Sequence, residues 1–438
     1  MPRRSLIVVV FAALAPCAAP LSSQDRSTAA LALPIFNATH DYSGADLAAP
    51  VPAAHSLTRL HPVNRTATSR RRRLGGGGHA DAHEGGLTPL FMGIGTHYAH
   101  VYVGTPPQRV SVIVDTGSHH TAFPCAGCKS CGKHTDPYFE PARSSSLEKL
   151  GCGGCVAAAR CVSNTCQVSQ SYTEGSSWKA VQMRDKYYVG GDDVKAPPRA
   201  GEKWINTPFV FGCQTYETGL FRTQKADGIM GMSMHASTLV PQMRQRNKLS
   251  HNSFSLCFMH GGGTMALGGV DERIHKKPMQ FVPLSKNAGW FTVALKDILV
   301  EGKSIGVAAS VYATGKGTIV DSGTTDTYLP RRAAERFRAA WHAHMGPSPK
   351  YGNTKLQYTA QQAAKFPTLT YVFEGGVKVD VEGPAYRGRA GISLVGSGVG
   401  VCCKERRRPH ANATKKYRGR SSVVSSFASR RYMEKSGP

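Results

Sequence analysis

Two short acidic segments of the 438-residue sequence have the residue types to do chemistry together. They read Ile113-Val114-Asp115-Thr116-Gly117-Ser118 and Ile319-Val320-Asp321-Ser322-Gly323-Thr324, with the two acids 206 residues apart (321 − 115). Each is a β-branched run ending in an acid, a small hydroxyl residue, a glycine and a second hydroxyl residue. Such a run is a buried strand that leads into a tight turn, where glycine permits the backbone geometry and the hydroxyls can bond the carboxylate. A single copy is an ordinary capped turn. Two matched copies placed face to face make a carboxylate dyad that holds one shared proton, because two neighbouring carboxylates cannot both ionise freely. The charged member can take a proton from water while the protonated member donates to a carbonyl oxygen, which is general acid and base chemistry on an amide. Neither a metal nor a covalent intermediate is needed, so no cofactor and no metal are expected.

Two loops so far apart need a scaffold for each. Alternating strings such as Val101-Tyr102-Val103 and Val110-Ser111-Val112-Ile113 read as strands, separated by frequent Gly and Pro. Residues 330–344 carry Ala333, Phe337, Ala340 and Trp341 at helical spacing, which predicts one amphipathic helix. The expected architecture is all-β and bilobal, one lobe for each loop, with minor helices.

With these loops, the sequence resembles the pepsin-like aspartic proteases from about His97 to about Tyr371. The supporting marks lie in that family's order: His97-Tyr98 and Gly104-Thr105-Pro106-Pro107-Gln108 before the first loop, Ser171-Tyr172-Thr173-Glu174-Gly175-Ser176 as a flap over substrate, Ala226-Asp227-Gly228-Ile229-Met230-Gly231 as the strand behind the first loop, and Trp290-Phe291-Thr292-Val293 at the start of the second lobe. The resemblance implies that Asp115 and Asp321 activate water, that Thr116 and Ser322 brace the loops through reciprocal hydroxyl bonds, that Ser118 and Thr324 bond the outer carboxylate oxygens, and that Gly117 and Gly323 allow close backbone approach. It also places Tyr172 and Gly175 on the flap. His119 and His120 depart from the small residue usual after the first loop. They are expected to point outward to solvent; the other reading is that they favour a charged carboxylate.

A cysteine-rich stretch, Cys125, Cys128, Cys131, Cys152, Cys155, Cys161 and Cys166, separates the first loop from the flap. It is similar to the insert of nepenthesin-type enzymes and, within them, to the plasmepsin V-like export-processing proteases of parasitic protists, which cleave after Arg-Xaa-Leu in the secretory pathway. That resemblance implies an acid to read the arginine through charge-assisted bonds, with Glu174 as the first candidate and Glu217 as the second. The competing reading of Cys125, Cys128, Cys131 and His134 is a zinc knuckle. Nine cysteines, with Cys213 and Cys257 added, lie in the recognisable core. Nine is odd, so one free thiol is expected; Cys213 with Cys257 is one open pairing among several.

At the N-terminus, Arg3 and Arg4 precede an apolar run over residues 6–15, which reads as a signal peptide within 1–23 and implies an oxidising compartment. Residues 24–90 read as a propeptide or disordered leader. It contains the polybasic Arg70-Arg71-Arg72-Arg73-Leu74, which reads as a solvated basic linker cut by a different protease or by none; the other reading is self-cleavage after Leu74 at Arg72-Arg73-Leu74. Sequons begin at Asn37, Asn64 and Asn412. The lobes are expected over 91–285, with the insert at 125–166, and over 286–403, followed by a basic tail at 404–438. Leu394-Val395-Gly396 is the one candidate for the strand behind the second loop, and the residues after it have no strand periodicity. A truncated or misjoined end, and hence an incomplete second lobe, is the expectation there.

The formal charge of +26 has identifiable sources in residues 70–73 and in the tail, so it does not describe a nucleic-acid face. It allows membrane association through a basic surface, without a transmembrane span. A monomer acting on extended peptides or proteins, in the endoplasmic reticulum or Golgi or secreted, is the expected form. A broad-specificity digestive protease and an inactive peptide-binding relative are the alternatives.

Overall fold

The computed structural model describes residues 31–32, 86–172, 175–191, 194–199, 204–259, 262–269, 280–285, 289–324, 327–347 and 357–383. The signal segment, residues 70–74, the sequons, Glu174, residues 394–396, Cys402, Cys403 and the tail lie outside them.

Strands dominate, as the alternating pattern predicts. In the first lobe a single sheet runs in the spatial order 254–259, 262–267, 87–92, 97–103, 108–115, 228–231, 121–124, 205–218, 177–189, 165–171 and 160–162. The strand at Leu87–Met92 starts inside the segment assigned to the leader up to residue 90. Leu87 and Leu90 are buried, and the strand pairs with both Gly262–Leu267 and His97–Val103. The folded lobe therefore begins before residue 91, because a short strand that buries a leucine on each face gains more from pairing than from solvent.

Three features aim the first catalytic loop. Gln108–Asp115 is buried over its last six residues, so Asp115 leaves the sheet from its interior. Gly228–Gly231 lies parallel to it, with Gly231 opposite Asp115, and antiparallel to Thr121–Pro124. Buried Asp227, just before that strand, accepts bonds from Ser111 N (2.5 Å), Ser111 Oγ (2.7 Å) and Asp136 N (2.9 Å). Burial, with the Asp136 charge beside it, pushes the Asp227 carboxyl up to about 7. The loop thus rests on a strand crossing that is bonded from several sides.

The second lobe supplies a four-stranded sheet in the order 303–304, 295–300, 369–373, 378–381, and a short pair in which Thr292–Val293 meets Thr318–Ile319 just before Asp321. The helix runs Arg331–Met345 with Ala333, Phe337 and Trp341 buried, the i, i+4 stripe read from the sequence. Pro330 caps its start, and Gly346 ends it at φ 78°.

The cysteines pair as Cys125–Cys213, Cys128–Cys131, Cys152–Cys161 and Cys155–Cys166, and Cys257 is disulfide-bonded as well. This corrects two expectations. Cys213 does not pair with Cys257: Thr121–Pro124 and Ile205–Thr218 are parallel neighbours that bring Cys125 and Cys213 to a Cα separation of 5.3 Å, whereas Cys257 lies on a strand near the opposite edge of the sheet. None of the nine core cysteines is a free thiol. The zinc-knuckle reading also falls, since Cys125, Cys128 and Cys131 spend their sulfurs on disulfides.

Candidate active site

The two loops meet across the lobe interface and bond each other reciprocally. Thr116 N donates to Ser322 Oγ at 3.2 Å, and Ser322 N donates to Thr116 Oγ1 at 2.9 Å. Each hydroxyl then donates across to the opposite strand, Thr116 Oγ1 to Val320 O at 2.9 Å and Ser322 Oγ to Val114 O at 2.6 Å. Four bonds in a pseudo-symmetric square fix the two acids relative to one another.

Within each loop the carboxylate is held by its own turn. Gly117 N donates to Asp115 Oδ1 at 2.8 Å and Gly323 N to Asp321 Oδ1 at 2.8 Å. Ser118 Oγ donates to Asp115 Oδ2, and Thr324 Oγ1 to Asp321 Oδ2 at 2.5 Å. A Cβ on Gly117 would collide with the Asp321 carboxylate, and one on Gly323 with that of Asp115. Only glycine lets the two acids come this close. Asp115 is 3% exposed; burial, and then the charge of Asp321, push its carboxyl well above the usual range. With Asp115 raised beside it, the pair can hold one proton above the ordinary carboxylate range, the state in which one carboxylate can act as base and the other as acid.

The flap candidate is a tight hairpin tip. Tyr172 N donates to Ser176 O at 2.9 Å and Gly175 N to Tyr172 O at 3.0 Å, with Gly175 at φ +99°, a conformation that favours glycine. The buried Trp178, which the sequence reading did not single out, donates from Nε1 to Tyr172 OH at 3.2 Å, and the tyrosine ring packs 5.2 Å from Phe221. Its signal was legible in principle, an indole six residues beyond the flap tyrosine. Losing this bond costs about 1 kcal/mol, so Trp178→Phe should raise KM for a peptide by roughly five-fold. Steady-state kinetics with an unchanged KM would show that the bond does not set the flap.

Beneath the flap lies an apolar cluster of Tyr98, Ile113, Ala122, Val168, Phe221, Ala226 and Ile229. Glu217 does not face it as an open acid. Its side chain is fully buried, accepts from Gly132 N at 3.1 Å and pairs with His134 Nε2 at 3.5 Å. It is committed to holding the cysteine loop.

The two histidines also differ from expectation, because both are half-buried and packed against other rings. His119 packs 4.9 Å from His235 and 4.8 Å from Trp290, and its Nδ1 shares a hydrogen bond with Ser233 Oγ. His120 sets an edge against Trp178 at 5.9 Å. Burial holds both down to about 4, helped for His119 by His235 and Lys316 and for His120 by His119 and His235. Above that pH they are neutral, so they do not supply the positive charge that would favour an ionised dyad.

Among the described residues no cluster of three or more His, Cys, Asp or Glu side chains is placed to hold a metal, and no helix is long and apolar enough to cross a membrane.

A family profile described as eukaryotic aspartyl protease matches residues 96–393, more than half of the chain. Aspartic protease 5 of Toxoplasma gondii is 35% identical over 207 residues, covering 42% of this chain and 20% of that protein. Plasmepsin V of Plasmodium falciparum is 33% identical over 181 residues, 40% of this chain and 29% of the relative. Aspartic proteinase nepenthesin-2 of Nepenthes gracilis is 26% identical over 349 residues, 75% of each. The match thus spans less than a third of the length of the two protist relatives.

Proposed function

The chain belongs to the eukaryotic aspartyl protease family, and from that premise we propose that it is an aspartic endopeptidase that hydrolyses peptide bonds with water held between Asp115 and Asp321. The observation that carries this reading is the reciprocal bracing of the two loops, which puts two carboxylates with matching loop hydrogen bonds against one another. A water between them loses a proton to the ionised carboxylate as its oxygen attacks the scissile carbonyl carbon, and the protonated carboxyl donates to the carbonyl oxygen. The resulting tetrahedral diol collapses as a proton passes to the leaving nitrogen and the C–N bond breaks. The dyad ends with the single proton it began with, and turnover needs no other group. Complete bonding within both loops is what favours turnover over peptide binding alone.

The finer reading is cleavage after Arg-Xaa-Leu-like sequences in the secretory pathway. Four described disulfides favour an oxidising compartment. The apolar cluster beneath the flap suits a leucine beside the cut bond, at about 1.5–3 kcal/mol for its burial. With Glu217 occupied by His134, Glu174 is the acid left to receive the arginine.

An Arg-Val-Leu peptide should be cut roughly 10- to 100-fold faster than its Ala-Val-Leu twin, the value of a charge-assisted bond. Glu174→Ala should erase that ratio while sparing cleavage of the Ala peptide. Equal rates on the two peptides with the unaltered chain would instead identify a broad-specificity enzyme.

A further inference from the structure

We propose that His119 and His235 are positioning residues that hold the first catalytic loop in its working place through Trp290, and that they do so only while the His119 ring between them is neutral. The inference rests on the assignment of Asp115 and Asp321 as the catalytic pair.

The three rings form one column beside the dyad. His235 stacks on His119 with their planes 27° apart, and His119 lies against Trp290 with planes 37° apart. Trp290 Nε1 donates to Gly117 O at 2.9 Å, and Gly117 N holds Asp115 Oδ1 at 2.8 Å. The tryptophan comes from the start of the second lobe, so the column is a second link between the lobes, distinct from the Thr116–Ser322 square. The segment that carries His235 also backs the loop directly: Met232 N donates to Asp115 O at 2.7 Å and Ser233 N to Ser118 O at 3.2 Å.

His235 is fixed in the column by its own turn: its Nδ1 accepts from the backbone N–H of Ser237 at 3.2 Å and lies 2.7 Å from Ser237 Oγ. Around the column the facing charged groups are Lys316, whose Nζ stands 4.0 Å from the Trp290 ring centre, and His120. The acids joined to it are those of the dyad, reached through Gly117. A cation at His119 would therefore meet Lys316 on one side and His235 on the other.

Burial, reinforced by His235 and Lys316, holds His119 down to about 4. The unfolded chain binds this proton at about 6.5 and the folded chain only near 4, so the histidine's contribution to stability is full above the unfolded value and is lost as pH falls towards the folded one. On the acid side the column opens, Trp290 loosens its hold on Gly117, and the loop carrying Asp115 drifts from Asp321. His120 takes up a proton over the same range, and the ionised carboxylate of the dyad is protonated on the acid side as well; the column's own share is the part that substitution at His119 and His235 removes.

The test uses the full chain over about pH 3 to 7, recording kcat and KM on a peptide substrate. His119→Phe/His235→Phe keeps three stacked rings but cannot charge, and its acid limb in kcat should lie roughly one pH unit or more below that of the unaltered chain. His119→Ala/His235→Ala, which removes the stack, should lower kcat several-fold across the range with little change in KM. Coincident acid limbs in the unaltered and Phe-substituted chains would overturn the proposal. A second readout does not depend on turnover: the emission contributed by Trp290, taken as the difference from Trp290→Phe, should change below about pH 5 in the unaltered chain and stay flat in the Phe pair. A flat Trp290 signal in the unaltered chain also overturns the proposal. Failure of that chain to cut at any pH would defeat the catalytic assignment of the dyad and with it the positioning role.

Discussion

Asp115→Asn should lower kcat/KM on any peptide by about 10,000-fold, on the scale seen when one member of an interdependent catalytic unit is removed. An amide neither takes a proton from water nor shares one with Asp321, so both halves of the chemistry fail together. The fold should survive, because Asn can accept from Gly117 N as Asp115 Oδ1 does and can donate to the Ser118 hydroxyl. Substitution at Asp321 should have the same effect, and the double substitution little more, since the pair acts as one acid-base unit. Residual activity above about a hundredth of the original would mean that the carboxylate contributes only field and not proton transfer.

The same substitution makes a pH prediction of defined sign. Asp115 has a raised carboxyl because it is buried beside Asp321. Below the ordinary carboxylate range, near 3.9, both folded and unfolded chains carry the proton and nothing is lost. As pH rises towards the raised folded value the unfolded chain releases it and the folded chain does not, so folding becomes less favourable. Asp115→Asn removes that slope. Thermal unfolding should show the variant gaining on the unaltered chain from acid towards neutral pH; a constant difference would indicate that Asp115 carries no unusual proton affinity.

Local patterns were the legible part of the sequence. Each catalytic loop is six residues long, and its acid, hydroxyls and glycine all act on one another or on the sister loop, so the two matched hexapeptides contain most of the dyad's geometry. The helix at Arg331–Met345 was legible for a similar reason, because its buried stripe repeats every four residues. Residues whose partners come from elsewhere were misread. Glu217 is buried by Gly132 and His134, about 85 residues earlier. His119 was expected in solvent because nothing near it in sequence shows that His235 and Trp290, 116 and 171 residues further on (235 − 119 and 290 − 119), close over it. Cys125 met Cys213 because two strands about 80 residues apart became parallel neighbours, and parallel order leaves no trace in local periodicity.

That last pairing carries the second large expectation. In the chain-entropy account a disulfide stabilises by restricting the unfolded chain in proportion to the logarithm of the loop it closes. Cys125–Cys213 spans 88 residues and Cys128–Cys131 spans 3. The relation gives about 4.6 kcal/mol for the long loop and about 1.6 kcal/mol for the short one. Cys125→Ala/Cys213→Ala should therefore lower the unfolding temperature by roughly 10 °C, and Cys128→Ala/Cys131→Ala by less than half of that. Packing adds to the difference, since buried Phe123, Phe139 and Phe211, in the same apolar cluster as Cys125 and Cys213, pack on one another at centroid distances of 4.6 to 5.8 Å. Releasing the bond lets Thr121–Pro124 part from Ile205–Thr218, and Thr121–Pro124 is the strand against which Gly228–Gly231 supports Asp115. Loss of activity should then track loss of stability for the long bond, while removal of the short bond should leave kcat within about three-fold of the original. Equal destabilisation by the two pairs would show that the bonds act through local strain in the cysteine loop and not through the unfolded chain.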